Sequence, residues 1–429
     1  IGRRIHNVPI LASIADIDLF EKELLKKNKF VPQKIIITDQ SIKSQSVEKL
    51  YVFAKKNGLA LGVLPKLSNI NFKDRFFTNP IAIEDVLGRK QKVHNPDLLK
   101  EISDKIVIVT GAGGSIGSEI CRQIYLLKPK RLILIEENEF ALYKVLQSIK
   151  GNLSPILADI RDSEKINSII KDYKPDMVFH AAALKHITFV ENDPMEALKT
   201  NFLATLKLCE ICKSHNVPKF VFISTDKAVY PSNIMGASKR LCEKYIQNFS
   251  SSSNSTKFSI VRFGNVLGST GSVVPLFQEQ IKQGGPITIT DPKVSRYFMT
   301  IREAVELVLI SSQLETKNGE IFILEMGKPF FIKDLAKRMI NLLGEKEDEI
   351  KIIYTGLRKG EKLSEQLFFN KERITNTNVK GIMSTTDKIY NVDTSDYNSL
   401  VLYIQKNETK KAIDKFKKML PEYKVDVKN

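Results

Sequence analysis

The feature that most limits how this chain can fold is the run KIVIVTGAGGSIGSEICRQIYLL, which starts at Lys105. A short apolar strand pattern passes straight into Gly111-x-x-Gly114-x-x-Gly117, and a helical pattern follows at once. Glycines at this spacing allow a tight turn, close approach of backbone to a ligand, and close packing of helix on strand. A helix that opens there offers unpaired N–H groups and the positive end of its dipole, a natural seat for phosphate.

The strand-then-helix pattern repeats in RLILIEENEFALYKVLQSI, PILADIRDSEKINSIIKDY, DMVFHAAA, the helical PMEALKTNFLATLKLCEICKSH, KFVFISTD, a helix around ASKRLCEKYIQNF, and KFSIVRFGNV. Short apolar strands alternating with amphipathic helices make βαβ units and a parallel sheet covered on both faces. The expected fold class is therefore α/β: a Rossmann-type doubly wound parallel sheet with a C-terminal substrate-binding region and a small N-terminal α/β domain. A length of 429 residues suits two or three domains. The pattern divides into a small α/β domain over 1–75, a polar connector over 76–104, the dinucleotide domain over 105–270, a substrate-binding region over 271–374, and a lysine-rich tail over 375–429 with one late helix near 408–420. In the first domain we expect strands at 34–38 and 59–65 with a helix at 44–58 between them.

Composition excludes several classes. A hydrophobic content of 42% supports large cores rather than disorder. Four cysteines without a recurring spacing argue for a reducing compartment, and the CxxC of Cys209 and Cys212 lies within a helical pattern with no second pair to complete a zinc site. No metal is expected. The net charge of +17 favours anionic partners such as nucleotides. No arginine-rich run with interleaved aromatics points to nucleic acid. No stretch reaches eighteen apolar residues, so no membrane span is expected within the chain. It begins at Ile1 without a methionine, as a cut or processed fragment does, which leaves room for an anchor ahead of it.

Further residues stand where a dinucleotide needs them. Beside Gly111, Gly114 and Gly117, Ser115 and Ile116 belong to the phosphate turn. Glu136 ends the second strand, nineteen residues after Gly117, and can accept from both adenosine ribose hydroxyls. An acid there disfavours a 2′-phosphate, so NAD is expected rather than NADP. Asp159 and Ile160 end the third strand, where they can flank adenine. Ala181, Ala182 and Ala183 end the fourth, small enough for a cofactor to lie against the backbone.

The fifth strand runs into FISTDKAVYPSNIMGASKR, which places Thr225, Asp226 and Lys227 at its carboxyl end, where such sheets bind ligands. The GxxGxxG spacing, HAAA, the Ser/Thr after the fifth strand and a lysine on the next helix resemble extended short-chain dehydrogenases. Those usually carry Tyr-x-x-x-Lys; here the matching positions are Met235 and Lys239, and methionine cannot accept a proton. Tyr230 does not substitute, because Ile234 stands four residues later.

With AAALKHI, RFGNVLGSTGSVVPLFQEQI, GGPITITDP, SRYFMT and RKGEK, the stretch from about 79 to 370 resembles bacterial membrane-associated nucleotide-sugar 4,6-dehydratases, most of all the UDP-N-acetylglucosamine 4,6-dehydratases that begin bacillosamine synthesis for protein glycosylation. That group also has methionine in place of tyrosine. The resemblance implies a lyase, a 4,6-dehydratase with tightly bound, recycled NAD, that gives a UDP-2-acetamido-2,6-dideoxy-4-keto-hexose with C5 configuration retained. Asp226 would be the acid at C6, Lys227 the base at C5, Thr225 a hydrogen-bonding partner of the C4 oxygen, and Lys239 the holder of the nicotinamide ribose. The base for the C4 hydroxyl stays open, with Asp226 acting through Thr225 or a water. Lys185, His186, Asn265, Arg296 and Arg358 are the substrate-binding candidates, the two arginines for the diphosphate. Arg302 is expected to cap a helix. The resemblance further implies a homo-oligomer on the cytoplasmic side of the bacterial inner membrane, attached only through segments absent from this chain. The alternatives are a C5-inverting dehydratase, a nucleotide-sugar C4 epimerase, and a non-catalytic NAD-binding pseudoenzyme.

Overall fold

The structure is a computed structural model. It describes residues 96–424 apart from 150, 152, 252–254, 315–318, 343–348 and 386–392, and ahead of these 4–5, 8–9, 13–17, 34–38, 42, 44–56 and 59–63. Of the connector expected over 76–104, the part before Pro96 lies outside the described residues, as does the stretch 64–75 of the small first domain.

Two compact units are present, and neither is continuous in sequence. One comprises Ile1–Lys92, Gly271–Lys293 and Phe330–Gly356; the other comprises Val93–Thr270, Val294–Pro329 and Leu357–Asn429. The expected division took 271–374 as a single region, whereas its pieces are shared between the two units. In the first unit, strand Lys34–Ile37 runs parallel to Ala60–Val63 with helix Ser44–Lys56 as the crossover. A second parallel pair joins Ile287–Ile289 to Ile352–Tyr354.

The second unit is built on one large sheet. Its elements are β1 (Ile106–Thr110), α1 (Ser115–Leu126), β2 (Arg131–Glu136), α2 (Glu139–Ser148), β3 (Ser154–Leu157), α3 (Ser163–Tyr173), β4 (Met177–His180), α4 (Ala204–Ser214), β5 (Lys219–Ile223), α5 (Ile234–Ser250), β6 (Lys257–Arg262), α6 (Ile301–Ser311), β7 (Glu320–Leu324), β8 (Thr375–Asn376), β9 (Ile382–Thr385), α7 (Thr394–Gln405) and α8 (Thr409–Met419). The strand order is β8-β9-β7-β6-β5-β4-β1-β2-β3. Strands β1 to β7 run parallel, and β9 and β8 add an antiparallel edge. The run 3-2-1-4-5-6 within it is the dinucleotide-binding order, with its reversal between β1 and β4.

Local chemistry explains why these residues make these elements. The central strands are apolar on both faces because helices cover both; Val107, Ile108 and Val109 have no exposed surface. In α3, Ile166, Ile169 and Ile170 form the buried stripe of an amphipathic helix. Helices start where side chains cap them: Asn138 accepts from the Ala141 N–H, Asp162 from Lys165, Asn233 from Gly236, and Thr300 from Glu303. Each such cap stabilises its helix by about 1 kcal/mol. Thr300, not Arg302, therefore caps α6, since Arg302 already lies inside the helix and only its carbonyl is used, by Gln123.

Two further expectations change. The single helix read over 194–215 has a π-helical turn at Leu198–Leu203 before α4 begins. Among its described residues, the tail over 375–429 carries two helices, α7 as well as α8, and two sheet strands. Tyr397, Leu400 and Ile404 give α7 a buried stripe that its polar neighbours obscure in sequence.

Candidate active site

The phosphate turn comes first. Gly111 has φ +65°, and a Cβ there would lie 2.7 Å from the Cα of Ala182. The end of β1 thus runs against the backbone that follows β4, and only small residues fit that approach. A Cβ on Gly117 would lie 2.0 Å from the Gly111 carbonyl oxygen, so α1 packs directly on the turn. Gly114 is the N-cap of α1 and offers no side-chain acceptor to the first N–H groups. They are left for an anion. Ser115 Oγ accepts from the Thr270 N–H at 3.1 Å, and Lys185 Nζ donates to the Thr270 carbonyl at 2.7 Å. Lys185 is thereby placed with the phosphate turn.

Glu136 ends β2 and accepts from the N–H groups of Gly113 at 2.8 Å and of Glu137 and Asn138 at 3.1 Å. Its oxygens keep lone pairs for hydroxyl donors. Asp159 bonds Arg161, which holds its carboxyl below the usual range, and Arg161 reaches on to Glu196 at 2.8 Å. Ile160 beside it is buried. Ala181, Ala182 and Ala183 are half-buried beyond β4.

Beneath the alanines, His180 bridges Thr110 at 2.7 Å and Thr205 at 2.8 Å. Thr205 spends its hydroxyl proton on the Asn201 carbonyl, so it accepts from His180 Nε2–H, and the Thr110 hydroxyl donates to Nδ1. Burial first, and Lys239 second, lower the pKa of this ring to about 3. The imidazole is neutral and structural.

The second cluster forms after β5. Thr225 caps a single 3-10 turn over Asp226–Ala228, and its hydroxyl donates to Asp226 Oδ1 at 3.0 Å. Lys227 Nζ is held between Asp226 Oδ1 at 3.0 Å and Asn265 Oδ1 at 2.9 Å. Asp226 has no exposed surface, and its Oδ2 makes no hydrogen bond. Helix α5 seats its first turn on this corner: a Cβ on Gly236 would lie 2.1 Å from the Lys227 carbonyl. Met235 is buried in that turn. One turn on, Lys239 Nζ donates to the Ile223 carbonyl at 2.9 Å and sits 4.4 Å from the centre of the Phe222 ring. Burial lowers its pKa to about 8.

Thr225, Asp226, Lys227 and Asn265 are thus one constellation. Arg296 is buried and engaged with the 358–365 loop, bonding the Leu363 carbonyl and Glu361, each at 3.2 Å. Arg358 on that loop is exposed. His186 is also exposed and opens the short helix Ile187–Asn192, apart from any bond to the Thr225 cluster.

Sequence reasoning passed over two residues. Asn201, in the π-helical turn, accepts from the Leu184 N–H at 2.8 Å and donates to the Leu184 carbonyl and to Ser238 Oγ, both at 3.0 Å. It braces the loop after HAAA against α5, and π-helical turns gather at functional sites. Nothing in a plain helical pattern marks it. Glu365 is the other, a buried acid whose position depends wholly on how its loop folds back. Cys209 and Cys212, by contrast, are free, fully buried thiols whose pKa burial raises.

The fold and this site define a dinucleotide-fold protein of the extended short-chain dehydrogenase kind. More specifically, residues 107–387 match the family described as polysaccharide biosynthesis protein, and the chain belongs to that family. It is 43% identical over 361 residues to the capsular polysaccharide biosynthesis protein CapD of Staphylococcus aureus, a match covering 82% of this chain and 60% of that one. The chain thus spans about three fifths of the length of this curated relative. It is 33% identical over 266 residues to the UDP-N-acetylglucosamine 4,6-dehydratase (inverting) of Campylobacter jejuni, over 61% of this chain and 76% of that one. Among solved structures, Pen from Bacillus thuringiensis superposes with a TM-score of 0.62 at 31% identity, covering 71% of this chain and 98% of Pen.

Proposed function

We propose that this chain is an NAD-dependent lyase that 4,6-dehydrates UDP-N-acetylglucosamine with retention at C5. The observation that carries the reading is Lys227, held between Asp226 and Asn265 at the carboxyl end of β5, with a methionine where a tyrosine base would stand. The glycine turn supports the cofactor, because it has room for backbone-to-phosphate contact and none for side chains. Glu136, Asp159, Ile160, the alanines 181–183 and Lys239 would hold the rest of NAD. Bound there, NAD would supply reversible storage of the hydride taken from C4 and returned to C6.

The protein's own groups then handle protons. Thr225, bonded to Asp226, gives the C4 hydroxyl proton a route to that carboxylate. Asp226 passes it to the C6 hydroxyl, which leaves as water. Lys227 as a free amine removes the C5 proton, exchanges it with solvent, and as the ammonium reprotonates C5. Proton transfer by positioned groups of this kind contributes about 10²–10⁴-fold. Arg358, exposed on its loop, and Lys185 would meet the diphosphate, while Arg296 would join them by exchanging Glu361 for phosphate oxygens. Asn265 would orient Lys227 and the sugar, with His186 at the edge. The relative named as an inverting dehydratase supports the substrate, and Met235 supports retention. The product would serve glycan assembly: bacillosamine for protein glycosylation by the sequence resemblance, polysaccharide by the family. Among the described residues no helix is long and apolar enough to cross a membrane.

Incubation with UDP-N-acetylglucosamine in deuterated water, followed by NMR, tests the reading. Dehydration gives a 6-deoxy-4-keto sugar with deuterium at C5, and the C5 configuration separates retention from inversion. Conversion to UDP-N-acetylgalactosamine would mean epimerisation, and unchanged substrate a pseudoenzyme.

A further inference from the structure

Helix α5 carries Met235 and Lys239, and its first turn also rests on the corner after β5, where a Cβ on Gly236 would lie 2.1 Å from the Lys227 carbonyl. The place where α5 begins therefore sets several groups of the site at once. The first N–H groups of a helix have no partners inside it, so other groups must take them. Asn233 takes that of Gly236 at 2.8 Å. That of Ile234, the first residue of α5, donates to Glu191 Oε1 at 2.7 Å.

Glu191 comes from a different part of the fold. It lies in the short helix Ile187–Asn192, which follows β4 by way of the three alanines, Lys185 and His186. Its side chain is 7% exposed, and a carboxylate there also meets the positive end of the α5 dipole. A bond from an N–H to a carboxylate, shielded from water, is among the stronger ties a helix start can have. The other Glu191 oxygen stands 3.5 Å from Lys359 Nζ, whose side chain is 68% exposed. An ion pair so open to solvent adds little. The residues just ahead of α5 are held by other segments. The Pro231 carbonyl accepts from the Lys424 N–H at 3.1 Å, and Ser232 Oγ and Asn233 Nδ2 donate to the Gly360 carbonyl at 2.8 and 2.9 Å. Those bonds fix the approach to α5. The Glu191 bond reaches the helix itself and ties it to the segment behind the alanines.

We infer that Glu191 is a positioning residue that seats the first turn of α5, and with it Met235, Lys239 and the Lys227 turn that Gly236 packs against. Glu191 acts through the Ile234 N–H and touches none of the reacting atoms. For the sugar chemistry this rests on the dehydratase reading above; for the cofactor it needs only the dinucleotide site.

Four variants test this beside the wild-type protein. Glu191→Ala removes the acceptor. The rate at which NAD leaves the loaded protein, measured without sugar, should rise about tenfold, because Lys239 is no longer set against the nicotinamide ribose. With UDP-N-acetylglucosamine in deuterated water, kcat and C5 deuterium uptake should fall roughly 100-fold, as for a small misplacement of reacting groups, while KM stays within about threefold. Glu191→Gln keeps an acceptor oxygen at the same reach and should restore NAD retention and turnover to within about threefold of wild type. Lys359→Met removes only the ion pair and should match the wild type. Glu191→Asp keeps the charge but draws its oxygens back by one carbon, so it should share the defect; it decides the matter should the alanine variant not fold. Wild-type NAD release in Glu191→Ala or Glu191→Asp overturns the inference. So does a glutamine variant as impaired as the alanine one, or a defect in Lys359→Met, which would move the role to the ion pair. Wild-type protein that forms no dehydrated product would instead overturn the reading beneath it, and the NAD release rates would still decide the seat of α5.

Discussion

At the scale of single residues, the site works through close approaches that one atom can spoil. Gly117 meets the Gly111 carbonyl so tightly that a methyl group would have to displace either the turn or α1. Gly117→Ala should therefore cost about 1–3 kcal/mol of stability and lower dinucleotide affinity at least in proportion. Chemical denaturation and a titration with NAD would show both, and normal binding would mean the turn is not the phosphate seat. Lys227 presents the opposite case, since it touches no glycine of the turn. Lys227→Ala should abolish C5 deuterium uptake while NAD remains bound; measurable turnover in that variant removes the lysine from the mechanism.

At the scale of elements, α5 joins the site to the rest of the second unit. It carries Met235 and Lys239 in its first turns and, one turn further on, Glu243 with no exposed surface. Glu243 accepts from Ser224 Oγ and Arg262 Nε at 2.7 Å and from Arg240 at 2.8 Å. Burial alone would raise its pKa, but Arg262 and Arg240 outweigh burial and hold it below the usual range. Arg262 goes on to Glu372, while Arg240 and Lys244 reach Glu422 beyond α8. The helix is thus tied to β5, to β6 and to the last described turn of the chain. Glu243→Gln leaves two buried guanidiniums short of a charge, and urea denaturation should show a loss of about 3–5 kcal/mol. A cost near zero would mean that the network is not coupled to folding.

At the scale of the whole molecule, His180 gives folding a pH dependence. Its folded pKa of about 3 lies below the ordinary histidine value of 6.5 because burial and Lys239 disfavour the imidazolium. Between those values the unfolded chain binds a proton that the native protein does not. This contribution is fully present above about pH 6.5 and is lost as pH falls toward 3, at up to roughly 1.4 kcal/mol per pH unit. Denaturation at pH 7 and pH 5 should differ by about 2 kcal/mol in the wild type, and by distinctly less in His180→Asn. Equal pH slopes in the two proteins would rule the histidine out as the source.

The sequence by itself determined what depends on neighbours along the chain. The period of apolar residues announced parallel strands and covering helices, because burial on both faces leaves a continuous apolar run. The glycine spacing announced the phosphate turn, because backbone closeness excludes side chains wherever it occurs. Only the tertiary structure decided which distant segments meet. Lys227 gains Asn265 from 38 residues away, and Arg262 gains Glu372 from 110. The C-terminal strands lengthen the main sheet, and the 358–365 loop brings Glu365 under the influence of Asp226 and Lys227. The stretch 271–374 is divided between two units although nothing in its local pattern marks the breaks. The physical reason is the same throughout. Local pattern records how a segment buries its own surface, whereas the partner of a buried charge is set by the packing of the whole sheet.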